Sequence, residues 1–272
     1  MITTSSQTGE RSPPVVRDYL SYSALNTYRS CPLRYYFRYI EQLPEKTVSS
    51  ALVFGSAIHA ALEFWFRERL MGHPEPDLDL LLAAYQEEWQ QRNLDTVLFG
   101  KKEDLNSLGQ LAERVLQTFR ESDLARPEGS VLGVEEELRE NVIDGCPDLL
   151  ARLDLIVETD DAVVVTDFKT SRSKWSQMQA EQSGEQLLLY GELVKDLIPG
   201  KPLQLEFAVV TKTKQPTIER YSVSRDATRI AHTRAMVKQV WSGMESGLFY
   251  PSPSPMNCSG CPFQEPCRKW TG

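Results

Sequence analysis

The segment from Leu149 to Lys169 constrains the fold most. Two runs rich in Val, Leu and Ile, Leu149 to Glu158 and Ala162 to Lys169, flank Asp160 and Asp161. Apolar runs of this length separated by turn residues predict paired strands. A two-residue loop at Asp160 and Asp161 pairs Thr159 with Ala162, and extending that register sets Asp154 opposite Asp167. Side chains alternate along a strand, so Asp167 and Lys169 share one face and Phe168 takes the other. Like charges facing each other in central strands are destabilising, and a divalent cation between the carboxylates would resolve the conflict. A local Asp167–Lys169 ion pair with the register displaced by a residue or two is the other reading that spacing allows.

Around this hairpin the chain reads as an α/β protein, a mixed central sheet flanked by helices. Ser21 or Ser23 is a natural N-cap for a helical segment running to about Tyr39, which Pro32 splits in two. Gly55 and Ser56 open a helix with Ile58, Leu62, Trp65 and Phe66 on its apolar side and His59 in its first turn. From about Asp77 to Asp123 apolar residues recur at helical spacing, which predicts an insertion of two or three helices. Strands follow at Val131 to Glu140 and in the hairpin. A helix spans about Gln179 to Leu197, stopped by Pro199 and Gly200; strands run over Leu203 to Thr211 and Thr217 to Val223; a last helix spans Arg225 to Gly247. The expected organisation is a disordered lead over residues 1–18, rich in Ser, Thr and Pro over Met1 to Val16, and a single domain over residues 19–272.

With 41% hydrophobic and 25% charged residues the chain can bury one good core, and its apolar runs are interrupted well before the roughly 20 residues a membrane helix needs. The N-terminus lacks the basic start and apolar middle of a secretory signal, which makes the expected location cytoplasmic. A net charge of -8 gives no bulk attraction to phosphate. Nucleic-acid binding would therefore rest on bound metal or on local clusters such as Arg29, Arg34 and Arg38, Arg172 and Lys174, or Lys212 and Lys214, each of which is more often a solvated face.

Five cysteines, three of them Cys258, Cys261 and Cys267 in one short Pro-rich segment, do not make a disulfide framework in a reducing compartment. Three thiolates in one loop can wrap a metal centre. Cys31, in an aromatic, Arg-bearing segment, is the better fourth ligand, leaving Cys146 free. Zinc and an iron-sulfur cluster both accept such a set. Gln186 and Tyr190, four apart, reach one neighbouring surface from a helix, which an ordinary half-buried helix edge would also do.

Together these pieces resemble the RecB-like branch of the PD-(D/E)xK nucleases. The resemblance is greatest to its iron-sulfur members, the CRISPR-associated spacer-acquisition nucleases and AddB-type helicase-nuclease subunits, and spans about Tyr22 to Trp270. The family's Gly-x-x-x-His motif appears as Gly55 to His59. Its sheet motifs appear as Ala151-Arg152-Leu153-Asp154 and Asp167-Phe168-Lys169-Thr170, and its Gln-x-x-x-Tyr motif as Gln186 to Tyr190. Ala151 stands where many relatives carry Gly. One early and three late cysteines match the family's cluster pattern.

The resemblance implies a restriction-endonuclease-like core in which His59, Asp154, Asp167 and the carbonyl of Phe168 bind Mg²⁺ or Mn²⁺. Lys169 would sit beside the attacking water, and Gln186 and Tyr190 would support the site and contact DNA. It implies a 4Fe-4S cluster on Cys31, Cys258, Cys261 and Cys267 that joins the first helix to a C-terminal segment at about residues 250–270. The implied activity is a DNA exonuclease acting on single strands or duplex ends, in repair or in processing of foreign DNA. No helicase P-loop is present, so translocation would come from a helicase or CRISPR-adaptation partner. A non-catalytic iron-sulfur subunit of a helicase-nuclease complex is the competing expectation, and a zinc-stabilised interaction module ranks last because it leaves the paired carboxylates and Lys169 unexplained.

Overall fold

A computed structural model describes residues 17–197 and 200–271. The expected disordered lead thus lies outside the described residues apart from Arg17 and Asp18, as does Pro199, the expected helix stop. In chain order the elements begin with β1 (Tyr19–Leu20), α1 (Tyr22–Ser30), α2 (Pro32–Tyr35) and a π-helical turn at Tyr36–Ile40. Ser21 caps α1 by accepting from the Ala24 N–H, and Pro32 sits at the first position of α2, where its missing N–H costs nothing. Next come β2 (Val48–Ser49), α3 (Ser50–Leu70), α4 (Leu78–Gln90), β3 (Val97–Leu98) and α5 (Leu105–Glu121). The chain continues through β4 (Ser130–Glu140), β5 (Asp148–Glu158), β6 (Val163–Ser171), α6 (Gln177–Gln182), α7 (Glu185–Val194), β7 (Leu203–Thr211) and β8 (Ile218–Ser222). It ends with α8 (Ala227–Glu245) and two short helices, α9 (Pro255–Cys258) and α10 (Gln264–Arg268).

The six-stranded sheet runs β1-β5-β6-β7-β8, with β4 on the other edge of β5. Strands β6 and β7 are parallel, whereas β4–β5, β5–β6 and β7–β8 are antiparallel. One face carries α1, α7 and α8 over Leu153, Val163, Val165, Leu205 and Phe207. The other carries α3, α4 and α5 over Leu155, Val157, Phe168, Ala208 and Val210. Alternation along β6 and β7 sends odd and even positions to opposite faces, so each face buries its own apolar core. The helical insertion therefore shares the second core with α3 and the sheet, through residues such as Leu81, Tyr85, Leu116 and Phe119. None of the described helices is long and apolar enough to cross a membrane.

Two boundaries differ from expectation. Helix α3 starts at Ser50, so His59 lies in its third turn; Ser49 caps it by accepting from the Leu52 N–H, and Val53 and Phe54 are buried helical residues upstream of Gly55. The single helix expected over Gln179 to Leu197 is two, α6 and α7. At the break a Cβ on Gly184 would meet Val223 Cγ1 at 2.6 Å and Arg229 Nη2 at 2.8 Å, while Arg229 donates to the Glu181 carbonyl. The short parallel pair β2–β3 was not anticipated: two residues on each side carry no usable periodicity.

On α7, Glu192 is 5% exposed and bound by Lys195 at 3.1 Å, by Arg225 at 3.2 Å and by Arg234 of α8. Burial opposes its ionisation, yet Lys195 and Arg234 hold the carboxyl below the ordinary range. Its stabilisation is present at neutral pH and is lost as pH falls through the lowered value. Glu192→Leu is expected to lower stability by roughly 1.5–3 kcal/mol in urea unfolding at pH 7, the scale of lost hydrogen bonding to a charged group, and the difference from wild type narrows in acid.

Candidate active site

The hairpin register runs from Glu158↔Val163 to Leu155↔Thr166, and the Thr159 N–H donates to the Ala162 carbonyl at 2.8 Å. One step further, where Asp154 and Asp167 stand across from each other, the ladder stops. The Phe168 N–H donates instead to Asp154 Oδ2, at 2.6 Å. Beyond this point β5 and β6 part, and β1 takes the same edge of β5 at Asp148 and Leu149.

Alternation on β5 also breaks here. Leu149, Ala151 and Leu153 belong to the core under α7, whereas Leu155 and Val157, of the same parity, belong to the core under α3. On β4 the residue between the pairs Val134↔Leu155 and Glu136↔Leu153 is Glu135, held at φ 54°. That left-handed conformation is costly for a side-chain-bearing residue and concentrates at functional sites. Here it accompanies a carboxylate directed at the gap between the strands.

Helix α3 closes the gap from the other side. A Cβ on Gly55 would meet Thr170 Oγ1 at 3.2 Å, so glycine lets the helix lie close against the end of β6. One turn later the His59 ring meets Phe168 edge-on at 6.0 Å, and its Nδ1 lies 3.6 Å from Asp154 Oδ2. Phe168, stacked on Phe66 at 5.8 Å, pins strand to helix. Ligand atoms of His59, Glu135 and Asp154 all fall within 4.8 Å of one another.

Asp167 is 3% exposed, and its Oδ2 lies 2.6 Å from Lys169 Nζ. Lys169 donates to Gln186 Oε1 at 2.9 Å, and Gln186 Nε2 donates to the Tyr190 hydroxyl at 2.7 Å. Helix α7 thus brings Gln186 to the ammonium, with Tyr190 bound behind it. The register is the undisplaced one that opposes the two aspartates, which overturns the displaced register of the other reading, while the Asp167–Lys169 ion pair of that reading is present.

Burial, then the charge of Asp167, pushes the Asp154 carboxyl well above its usual range. Burial and Glu63 push Glu135 up. Burial lowers His59 against the opposing pull of Asp167, which favours a neutral imidazole ready to donate a lone pair. Asp167 Oδ2 is buried and, apart from its contact with Lys169, has no hydrogen-bond partner among the described residues. Crowded carboxylates beside one neutral imidazole fit a hard divalent cation of the Mg²⁺ or Mn²⁺ kind. Glu135 was missed in the sequence; its signal was the run Glu135-Glu136-Glu137, in which alternation must turn at least one carboxylate inward.

Two cavities meet at this centre and share Arg152 and Lys169 in their walls. One, of about 560 Å³, is bordered by His59, Glu135, Thr170 and Lys212; the other, of about 580 Å³, by Tyr19, Tyr22, Gln186 and Tyr190.

Far from this centre, Cys31, Cys261 and Cys267 surround a small core of Leu33, Phe37 and Phe263. The Leu33 N–H donates to the Tyr250 carbonyl at 2.9 Å, and Asn257 Nδ2 donates to the Ser30 carbonyl at 2.8 Å, tying the two ends of the chain together. Burial and the nearby thiols of Cys31, Cys261 and Cys258 push the Cys267 thiol up. Cys146 is buried in the core under α7, apart from this group. Three of these thiols thus pack on one aromatic core, with exposed Cys258 near enough for its charge to act on Cys267.

Because the carboxyls of Asp154 and Glu135 retain protons above the usual range, a cation entering between them displaces those protons. Calorimetric Mn²⁺ titration in buffers of different ionisation heat is expected to show net proton release on binding, with affinity rising as pH rises. His59→Ala weakens that binding.

No curated protein matches the sequence. Among solved structures, a Eubacterium rectale protein described as "Putative exonuclease" is 14% identical, with 94% of this chain and 89% of that one covered at a TM-score of 0.60. At this identity the likeness is one of fold. A second, SSO0001, is 13% identical over 89% of this chain and 92% of that one, with a TM-score of 0.35, too low to carry an argument. The family model of the PD-(D/E)XK nuclease superfamily matches residues 19–268, which takes in the sheet, both helical layers and the convergent cysteines. The chain belongs to the PD-(D/E)XK nuclease superfamily.

Proposed function

We propose that this protein is a metal-dependent DNA exonuclease that hydrolyses phosphodiester bonds of single-stranded DNA or duplex ends, in DNA repair or in processing of foreign DNA. The observation that carries the reading is the convergence of His59, Glu135 and Asp154 within 4.8 Å, beside Asp167 and a lysine fixed by Gln186.

His59, Asp154, Asp167 and the Phe168 carbonyl hold Mg²⁺ or Mn²⁺, and Glu135 adds a further carboxylate. The cation supplies acidification of water and stabilisation of charge on the phosphoryl oxygens. Lys169 orients the attacking water and adds positive charge where oxyanion charge develops. Gln186 and Tyr190 fix the lysine, and Tyr190 and Tyr22 border the cavity through which the strand approaches.

Cys31, Cys258, Cys261 and Cys267 bind a 4Fe-4S cluster with a structural role. It fastens α1 and α2 to the C-terminal segment and lies outside the hydrolytic chemistry. Strand separation is left to a partner, a helicase or a component of CRISPR adaptation.

End-labelled single-stranded DNA incubated anaerobically with the protein and Mg²⁺ or Mn²⁺ is expected to shorten from one end. EDTA abolishes the shortening, and Lys169→Ala slows it by at least ~100-fold, the scale of losing one oriented charge at the developing oxyanion. Tight binding without cleavage under either metal would instead support the non-catalytic DNA-binding subunit. Cys258→Ser is expected to lose the brown cluster absorbance and to lower the melting temperature while leaving Mn²⁺ affinity at the active site unchanged; retained colour would remove Cys258 from the ligand set.

A further inference from the structure

Three cations border the cavity of about 560 Å³ that opens on the hydrolytic centre, and two of them are neutralised. Lys169 pairs with Asp167, and Arg152 lies 3.7 Å from Glu135 and 3.6 Å from Glu137. Lys212 differs. Its Nζ sits 5.6 Å from the centre of the Phe54 ring, and among the described residues no carboxylate comes within ion-pair distance of it. The acid whose charge it feels, Glu103, accepts instead from Ser50 Oγ at 2.6 Å and the Gly100 N–H at 3.1 Å.

The topology explains why Lys212 is there. Strands β6 and β7 are parallel and in register through Ser171↔Thr211, so Arg172 and Lys212 emerge side by side at the carboxyl end of the pair, three residues beyond Lys169 along β6. Ligands of open α/β sheets collect at that end. The Lys212 N–H donates to the Ser171 carbonyl at 2.6 Å, fixing the root of the side chain. Arg172 is a like charge close enough, together with burial, to push the Lys212 amine down. Glu103 acts on both cations while its hydrogen bonds go to Ser50 and Gly100, so two adjacent cations share one carboxylate that contacts neither directly, and the pair keeps a net positive charge that a further anion would offset.

We propose that Lys212, with Arg172 behind it, binds an internal backbone phosphate of the DNA strand next to the scissile one, so that the strand runs from Lys169 past Thr170 and Ser56 to Lys212. This rests on the nuclease reading of the same cavity. Lys212 is a positioning residue: it holds the strand and touches no reacting atom.

The test uses the full chain in a Lys169→Ala background with EDTA present, so that hydrolysis is abolished, and fluorescence anisotropy of a labelled single-stranded oligonucleotide bearing hydroxyl ends. Lys212→Met, which keeps the aliphatic stem over Phe54, is expected to weaken binding about 5–20-fold. It also flattens the slope of log affinity against log salt by about 0.7, the value of one single-strand phosphate contact. Lys212→Arg retains most of both. In the otherwise wild-type enzyme Lys212→Met raises KM more than it lowers kcat. Unchanged affinity and salt slope in Lys212→Met, with an unaltered melting temperature, overturn the proposal. So does an effect confined to oligonucleotides with a terminal phosphate, which assigns the site to a strand end. Absence of any DNA binding by the Lys169→Ala protein before Lys212 is changed overturns the nuclease reading, and this inference with it.

Discussion

The hydrogen bond from the Phe168 N–H to Asp154 Oδ2 is the point on which the site depends. It replaces a main-chain ladder bond by a side-chain one at the position where two aspartates would otherwise face each other inside a sheet. The carboxylate satisfies a buried N–H that would be costly to leave unmade, and in exchange the strands are free to separate. The residues of the candidate site lie in or beside that separation: Glu135 from β4, His59 from α3, and Lys169 two residues beyond Asp167 along β6.

The sheet is able to open there because each face is held independently. The core under α3, α4 and α5 anchors Phe168 through Phe66 and His59, while the core under α1, α7 and α8 carries Gln186 and Tyr190 to Lys169. A site assembled from both layers keeps its geometry only while both layers are packed. That gives the insertion between α3 and β4 a structural role, packing Phe119 against Trp65 and Phe66 of α3, the helix that carries His59. The convergent cysteines act on a third, smaller core, which joins residues near both ends of the domain and so fixes the position of α1, whose first residue, Tyr22, borders the cavity beside Lys169.

Charge distribution divides the labour within an acidic protein. Most cations are matched by carboxylates, including Lys169 by Asp167, and the lysine is oriented by that pair as well as charged. The parallel strands β6 and β7 deliver Lys212 to the cavity wall without a direct ion pair, the condition that the proposed phosphate contact requires.

Much of this was legible in the sequence because its signals are local. The β5–β6 register followed from one two-residue loop, the split at Pro32 from proline chemistry, and the α4–α5 insertion from helical periodicity. Cys31 packs on the same small core as Cys261 and Cys267, and Gln186, four residues before Tyr190 on one helix, hydrogen-bonds to it. Tertiary structure decided the rest. The start of α3 before Gly55, the break at Gly184, the left-handed Glu135 and the unmatched charge of Lys212 all depend on what an element packs against. Sequence patterns record which face of an element is apolar, but not how closely a second element approaches or which charge it brings. Those are set only when Thr170 meets Gly55, Val223 meets Gly184 and the strands part at Asp154.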